Sequence, residues 1–113
     1  MADLVYINEE EGTKRVMNNA KLYAKLLTKF KTDTNLNDLI AFAEAQDWEK
    51  AQGAAHTIKG VAANLSLTEL FNQSLEVETQ IKGKSLNPES LESLKACFSE
   101  TLAAVEKVIV KNA

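Results

Sequence analysis

The sequence predicts an all-α fold, an antiparallel four-helix bundle with one or two short additional helices at its N-terminal end. Three observations lead there. Apolar residues recur every three or four positions in successive segments. Strand signals are missing: no β-branched residues alternate, and no Asn-Gly or Asp-Gly hairpin turn occurs. A single proline and four glycines punctuate 113 residues. Amphipathic helices joined by short loops must bury their stripes on one another, which gives a bundle. The length fits one domain, residues 1–113.

The elements follow in order. Asn8 is placed to cap a short helix through Glu9, Glu10 and Glu11, whose charges suit a helix N-terminus, and Gly12 should keep it brief. From about Asn19 to Lys31, the residues Ala20, Tyr23, Leu27 and Phe30 recur at helical spacing, with Leu22 and Leu26 beside them. Thr34 or Asn35 is expected to cap a shorter segment carrying Leu36, Leu39, Ile40 and Ala43. Asp47 is a good N-cap for a helix from Trp48 to about Leu65. Ser66-Leu67-Thr68-Glu69 has the form of a capping box, in which Ser66 would start the next helix; that helix runs to about Lys82, with Gly83 as its stop. Asn87-Pro88 opens the last and longest helix, striped by Leu91, Leu94, Phe98, Thr101, Leu102, Val105, Val108 and Ile109.

Composition narrows the function. Thirteen basic and sixteen acidic side chains give a net charge of −3, with no basic footprint for nucleic acid. No apolar run approaches the roughly 20 residues that span a bilayer. Met1 to Ile7 lack the basic start and apolar stretch of a signal peptide, so the expected compartment is the cytoplasm. Cys97, the one cysteine, sits among Leu94, Phe98 and Leu102 as a small buried hydrophobe, and neither a disulfide nor a cysteine-held metal is expected. Nothing in the sequence requires a dimer, and a monomer is expected.

The only histidine stands on the helix from Trp48 to Leu65. At about 100° per residue, Ala51, Ala54, Ile58, Val61, Ala62 and Leu65 fall on one face that must point to the core. His56 lies opposite, flanked by Glu49, Gln52, Gly53, Lys59, Gly60 and Ala63. Gly53 and Gly60 each cost the helix about 1 kcal/mol relative to alanine. Packing does not require them on an outward face, but close approach of another molecule to the imidazole does. Lys59, one turn away on the same surface, is placed to neutralise an anion on the ring. As an exposed charge it should contribute only about 0–1 kcal/mol to folding. Neutral imidazole is a nucleophile near pH 7, and phosphoryl transfer needs positioning and charge neutralisation more than covalent help.

The run His56-Thr57-Ile58-Lys59-Gly60-Val61-Ala62-Ala63-Asn64-Leu65 resembles the phosphorylation helix of histidine phosphotransfer (HPt) domains, with Gln46-Asp47-Trp48 and Ala54-Ala55 as its lead-in. The resemblance implies a four-helix bundle with an exposed histidine that takes a phosphoryl group from a receiver-domain aspartate and passes it to another. His56 would accept the group and Lys59 would neutralise it. Gln52, Gly53, Gly60, Ala63 and Asn64 would meet the partner, a response-regulator receiver domain or a hybrid sensor histidine kinase. No cofactor is expected on this chain; Mg2+ would be held by the receiver. Ser66 departs from the family, which usually has glycine there, and its capping of the next helix would make a different turn.

The alternative within the same fold is a helical adaptor that binds a receiver without accepting phosphate, which the retained His56 and Lys59 disfavour. A metal protein lacks a Glu-x-x-His pair or a cysteine cluster. An autonomous kinase lacks a Walker loop or any glycine-rich nucleotide fingerprint.

Overall fold

The computed structural model describes residues 6–112 and shows six helices and no strand among them: α1 (Glu9–Arg15), α2 (Ala20–Phe30), α3 (Asn35–Glu44), α4 (Trp48–Leu65), α5 (Thr68–Lys82) and α6 (Pro88–Lys111). Met1 to Val5, on which most of the expectation about a leader segment rests, and Ala113 lie outside the described residues. The bundle is the expected one. Three of its sides are the long helices α4, α5 and α6. The fourth is shared by α2 and α3, which follow one another along α4, so that Tyr23 of α2 reaches the end of α4 while α3 folds back from its start.

Side-chain caps set most of the helix starts. The Asn8 side chain accepts from the Glu11 amide at 3.1 Å, Asn19 from Leu22 at 3.0 Å, Asp47 from Lys50 at 3.3 Å and Asn87 from Glu89 at 2.8 Å. Thr34 occupies the cap position of α3 but makes no such bond; the Asp33 carboxylate accepts from the Asn35 amide at 2.7 Å instead. α5 stops at Gly83, yet that glycine has φ −85°, and Lys84 takes the left-handed conformation at φ 61°.

The expected role of Ser66 needs correction. Ser66 does not cap α5. It closes α4 in the left-handed conformation, φ 58° and ψ 41°, and the following amide of Leu67 returns to the Ala62 carbonyl at 2.8 Å. The turn is therefore the one a glycine would make, carried by a serine. Its hydroxyl cannot reach the α5 amides because it donates to Glu11 Oε1 at 2.9 Å and accepts from Arg15 Nε at 3.3 Å. The helix that follows has Leu67 at its cap position and no side-chain cap bond.

α1 is brief as expected, seven residues from Glu9 to Arg15, and Gly12 lies within it as its one buried residue. A Cβ there would overlap the Tyr23 ring. That ring is 1% exposed, and its hydroxyl donates to the Leu65 carbonyl at 2.6 Å, so it has nowhere to go. Burial first, with Glu9 and Glu11 nearby, pushes the Tyr23 phenol up to about 12. The glycine thus lets α1 lie flat on α2 beside the end of α4. The backbone bond from the Asn8 amide to the Ser66 carbonyl, 2.9 Å, and the 2.9 Å pair between Lys111 and Glu9 complete the attachment.

The core is apolar and continuous. Leu27, Leu39, Ala51, Ala55, Ala62, Leu67, Leu70, Val77, Leu94 and Val105 have no exposed surface. On α4 the inward positions are mostly alanine, which lets α3 and α5 approach its backbone closely.

Gly12→Ala should force α1 off Tyr23 at a cost of about 1–3 kcal/mol, the usual range for overpacking. Urea unfolding should report that loss, and hydrogen exchange should show reduced protection in residues 9–15. Unchanged protection there would mean the ring accommodates the methyl.

Candidate functional site

α4 presents two faces. Ala51, Ala54, Ala55, Ile58, Ala62 and Leu65 are buried, and Val61 is partly so. Opposite them, the His56 side chain is 68% exposed. The bundle therefore places the ring on the outside of its central helix hairpin, as helical spacing requires.

What the spacing does not reveal is the residue beside the ring. Glu78 projects from α5 with its side chain only 3% exposed. His56 Nδ1 lies 3.2 Å from Glu78 Oε2, and Lys59 Nζ lies 2.6 Å from Glu78 Oε1. The latter contact is an ion pair without the angles of an aligned hydrogen bond. Burial alone would raise the Glu78 carboxyl; the Lys59 ammonium, the His56 ring and the charge of Lys82 more than offset it and hold the group below the ordinary carboxylate value. An ionised carboxylate only accepts, so the proton of the neutral imidazole belongs on Nδ1. Its lone pair is left on Nε2, across the ring from Glu78 and toward solvent.

Lys59 is on the same surface as His56 but is not an exposed charge. Its side chain is 22% exposed and engaged with a buried carboxylate. The premise of an exposed charge, on which its small expected contribution to folding rested, is corrected: truncating Lys59 would leave the buried Glu78 carboxylate without its nearest cation.

The other residues singled out lie along the same outward strip, which spans roughly 18 Å from Gln52 to Asn64 at 1.5 Å per residue. Gly53 and Gly60 are exposed, and a Cβ on either would have nothing within 4 Å. Gln52 and Gly53 line an open depression beside the ring with Glu49 and Glu78. Ala63 lies farther along, partly buried, in a hollow with Arg15 and Phe71. Asn64 is exposed at the rim of an apolar groove formed with Leu26, Phe30 and Val61. The structure brings His56 and Lys59 together through Glu78 and places Gln52 and Gly53 in the depression beside the ring; Gly60, Ala63 and Asn64 share only the face.

Glu78 carried a signal that helix periodicity alone misses. It falls within the buried series Leu70, Ser74, Val77 and Ile81 of α5, where an acid is out of place. In an antiparallel hairpin, residues equidistant from the turn lie opposite one another, and His56 and Glu78 are each eleven positions from Leu67.

A model of the Hpt domain family matches residues 25–105, more than two thirds of the chain, from the middle of α2 to Val105 in α6. The chain belongs to the Hpt domain family. No curated protein and no solved structure matches it. The Hpt domain is a helical bundle of two-component phosphorelays, a phosphocarrier and not a kinase, and its partners are receiver domains and histidine kinases. His56, Lys59, Gly60 and Glu78 all lie within the matched residues of this Hpt domain, whereas α1 lies outside them. Among the described residues no three His, Cys, Asp or Glu side chains gather as metal ligands, and no helix is long and apolar enough to cross a membrane.

Lys59→Ala should destabilise this Hpt domain by about 3 kcal/mol. That is the low end for breaking a buried pair, because Nδ1–H and Lys82 still face Glu78. Urea denaturation reads the loss, and Lys59→Ala/Glu78→Gln should recover part of it. A wild-type midpoint in the single variant would show that the pair contributes nothing to folding.

Proposed function

We propose that His56 accepts a phosphoryl group on Nε2 from the aspartyl phosphate of a receiver domain and passes it to the aspartate of another. The observation that carries this reading is the ring itself. It is exposed on a rigid helix, its Nδ1 is engaged by a buried carboxylate, and its free nitrogen is directed outward. A nucleophile held in one tautomer and one orientation has already met part of the entropic cost of in-line attack.

Lys59 lies one turn away, near enough to turn its ammonium from Glu78 to phosphoryl oxygens on the ring. Gly53 and Gly60 leave the approach open on both sides of His56. Gln52, Ala63 and Asn64 extend the contact strip along α4. The partner receiver would bring Mg2+ and the groups that stabilise the transferring phosphoryl, so this chain acts as a carrier and supplies no nucleotide chemistry of its own. Its working unit in this reading is a cytoplasmic monomer that docks one receiver at a time.

Label from a phosphorylated receiver or from phosphoramidate should appear on His56 alone, be lost in acid and survive alkali. His56→Gln should abolish it. Acid-stable label, or label persisting in that variant, would sink the assignment.

Gly60 separates stability from docking. Replacing it with glutamine adds a helix-favouring residue in open space, so Gly60→Gln should be neutral or stabilising by up to about 1 kcal/mol. The same side chain stands one turn from His56 and holds a receiver's aspartate away from the ring. Labelling by phosphoramidate, a small donor, should continue, while single-turnover transfer to a receiver falls at least tenfold. Wild-type transfer to the receiver would end the close-approach account of the glycines.

A further inference from the structure

We infer that a row of lysines on α2, Lys21, Lys25 and Lys29, selects the receiver domain that docks on α4, favouring one with an acidic surface beside an apolar ridge and orienting it over the Leu65 end of the helix. The inference rests on the phosphocarrier reading above and names which partners of that kind the chain accepts.

The net charge of −3 hides a division along the chain. Residues 12–32 hold six of the thirteen basic side chains and no acid, whereas the rest holds seven basic side chains and all sixteen acids. The two parts therefore carry +6 and −9. Three of the six cations are matched: Lys14 pairs with Glu10, Arg15 with Glu11 and Lys31 with Glu106. Lys21, Lys25 and Lys29 are exposed, and none has an ion-pair partner among the described residues. α2 itself contains no acid.

The three lysines recur every fourth residue, so they form one row that drifts around α2 by about 40° per step. Each stands one position before an apolar residue, Leu22, Leu26 or Phe30, and these form a second row beside the first. Phe30 is buried, Leu26 partly buried and Leu22 41% exposed. Both rows reach the α4 strip. Leu26 and Phe30 meet Val61 in the apolar groove that Asn64 rims, which Lys29 and Arg15 also line. Asp33, the one acid in that groove, already accepts from the amide and the side chain of Asn35, at 2.7 and 2.9 Å. Val61 is five positions beyond His56, about 8 Å along the helix. A partner domain seated on the ring covers that distance, since a standard interface takes about 800 Å² a side.

These charges give the strip a direction. Glu49 lies at the rim of the depression beside His56, toward the start of α4, while Arg15 and Lys29 lie toward its end. An acidic partner is drawn to the α2 end and repelled from Glu49 and from the remaining surface, where acids outnumber bases. It therefore meets His56 in one orientation. Such complementarity acts on encounter rate and on choice of partner more than on final affinity, and it weakens with salt. Three unpaired ammoniums in a chain of net charge −3 do not make a footprint for nucleic acid.

The test uses the whole chain and a panel of receiver domains whose surfaces range from acidic to basic. Each is followed for single-turnover uptake of phosphoryl from His56 labelled with phosphoramidate, below saturation and from about 0.02 to 0.5 M NaCl. At low salt the wild type should transfer to the acidic receivers at least tenfold faster than to the basic ones, and the preference should shrink as salt rises. Lys21→Glu/Lys25→Glu/Lys29→Glu should lose that preference while phosphoramidate labelling and melting temperature stay at wild-type values. Should charge reversal disturb the fold, glutamine at the same three positions removes the charge with a comparable helix former and must lose part of the preference. An unchanged preference in a folded variant, or transfer to acidic receivers that ignores salt, would overturn the inference and leave the carrier reading intact. Wild-type binding to vesicles of phosphatidylglycerol and phosphatidylcholine that the triple variant lacks, with receiver preference unaltered, would assign the row to a membrane surface and overturn it as well. Labelled His56 that no receiver discharges would overturn the carrier reading and this inference together.

Discussion

The short turn between α4 and α5 fixes which residues of the two helices lie opposite one another. Ser66 takes a left-handed conformation, Leu67 follows, and α5 begins at Thr68, already antiparallel to α4. With the turn centred on Leu67, position 56 falls opposite position 78. One residue more or less in this turn would rotate α5 by about 100° and carry the Glu78 carboxylate away from the ring. The bond from the Leu67 amide to the Ala62 carbonyl, 2.8 Å, ends α4 cleanly, and the Ser66 hydroxyl is held by Glu11 and Arg15. Serine in this conformation lacks glycine's freedom. The contacts to α1 help hold it there, so a helix outside the family-matched residues supports the register of the site.

That register allows a buried charge to serve two neighbours. Burying a carboxylate is expensive, and a hydrophobic residue at position 78 would serve folding at least as well. Lys59 and Lys82 reduce the cost, and the α4 alanines let α5 come near enough for Oε2 to reach Nδ1. The arrangement also explains why Lys59 is only 22% exposed although it belongs to the outward face of α4. Its aliphatic stem lies against the hairpin while the ammonium bridges to α5. The same buried carboxylate therefore engages both the ring and the lysine beside it.

Much of this was legible in the sequence, for definite reasons. Local caps are written in single residues, and Asn8, Asp47 and Asn87 bond as their positions imply, whereas the cap expected at Thr34 or Asn35 makes no such bond. The face of α4 follows from angular spacing, and the open space around Gly53 and Gly60 agrees with it. What was missed is tertiary. The fragment Ser66–Glu69 has the letters of a capping box, but the hydroxyl is claimed by residues more than fifty positions away, which no local rule anticipates. Gly12 reads only as a weak point of a brief helix, and nothing local foretells the Tyr23 ring placed over it. Lys59 reads as an exposed charge because helical spacing says which way a residue points and not what the next helix brings to meet it.

The outward glycines and the buried glutamate solve opposite halves of one problem. A phosphocarrier must let a partner's acid come within bonding distance of its ring, which argues for an uncluttered surface. It must also keep the ring in one orientation and one tautomer, which argues for a close neighbour. On a single helix face these demands conflict, because any side chain long enough to hold the imidazole would stand in the partner's path. The helix hairpin separates them in space. α4 supplies the open face, with Gly53 and Gly60 flanking His56 at −3 and +4, and α5 supplies the orienting group from beneath. The neighbour is consequently buried, and in the proposed reading it acts on the nitrogen that the transfer does not use. An orienting acid on α4 itself, such as Glu49, is exposed at the rim of the depression and would have to be displaced whenever a receiver docks.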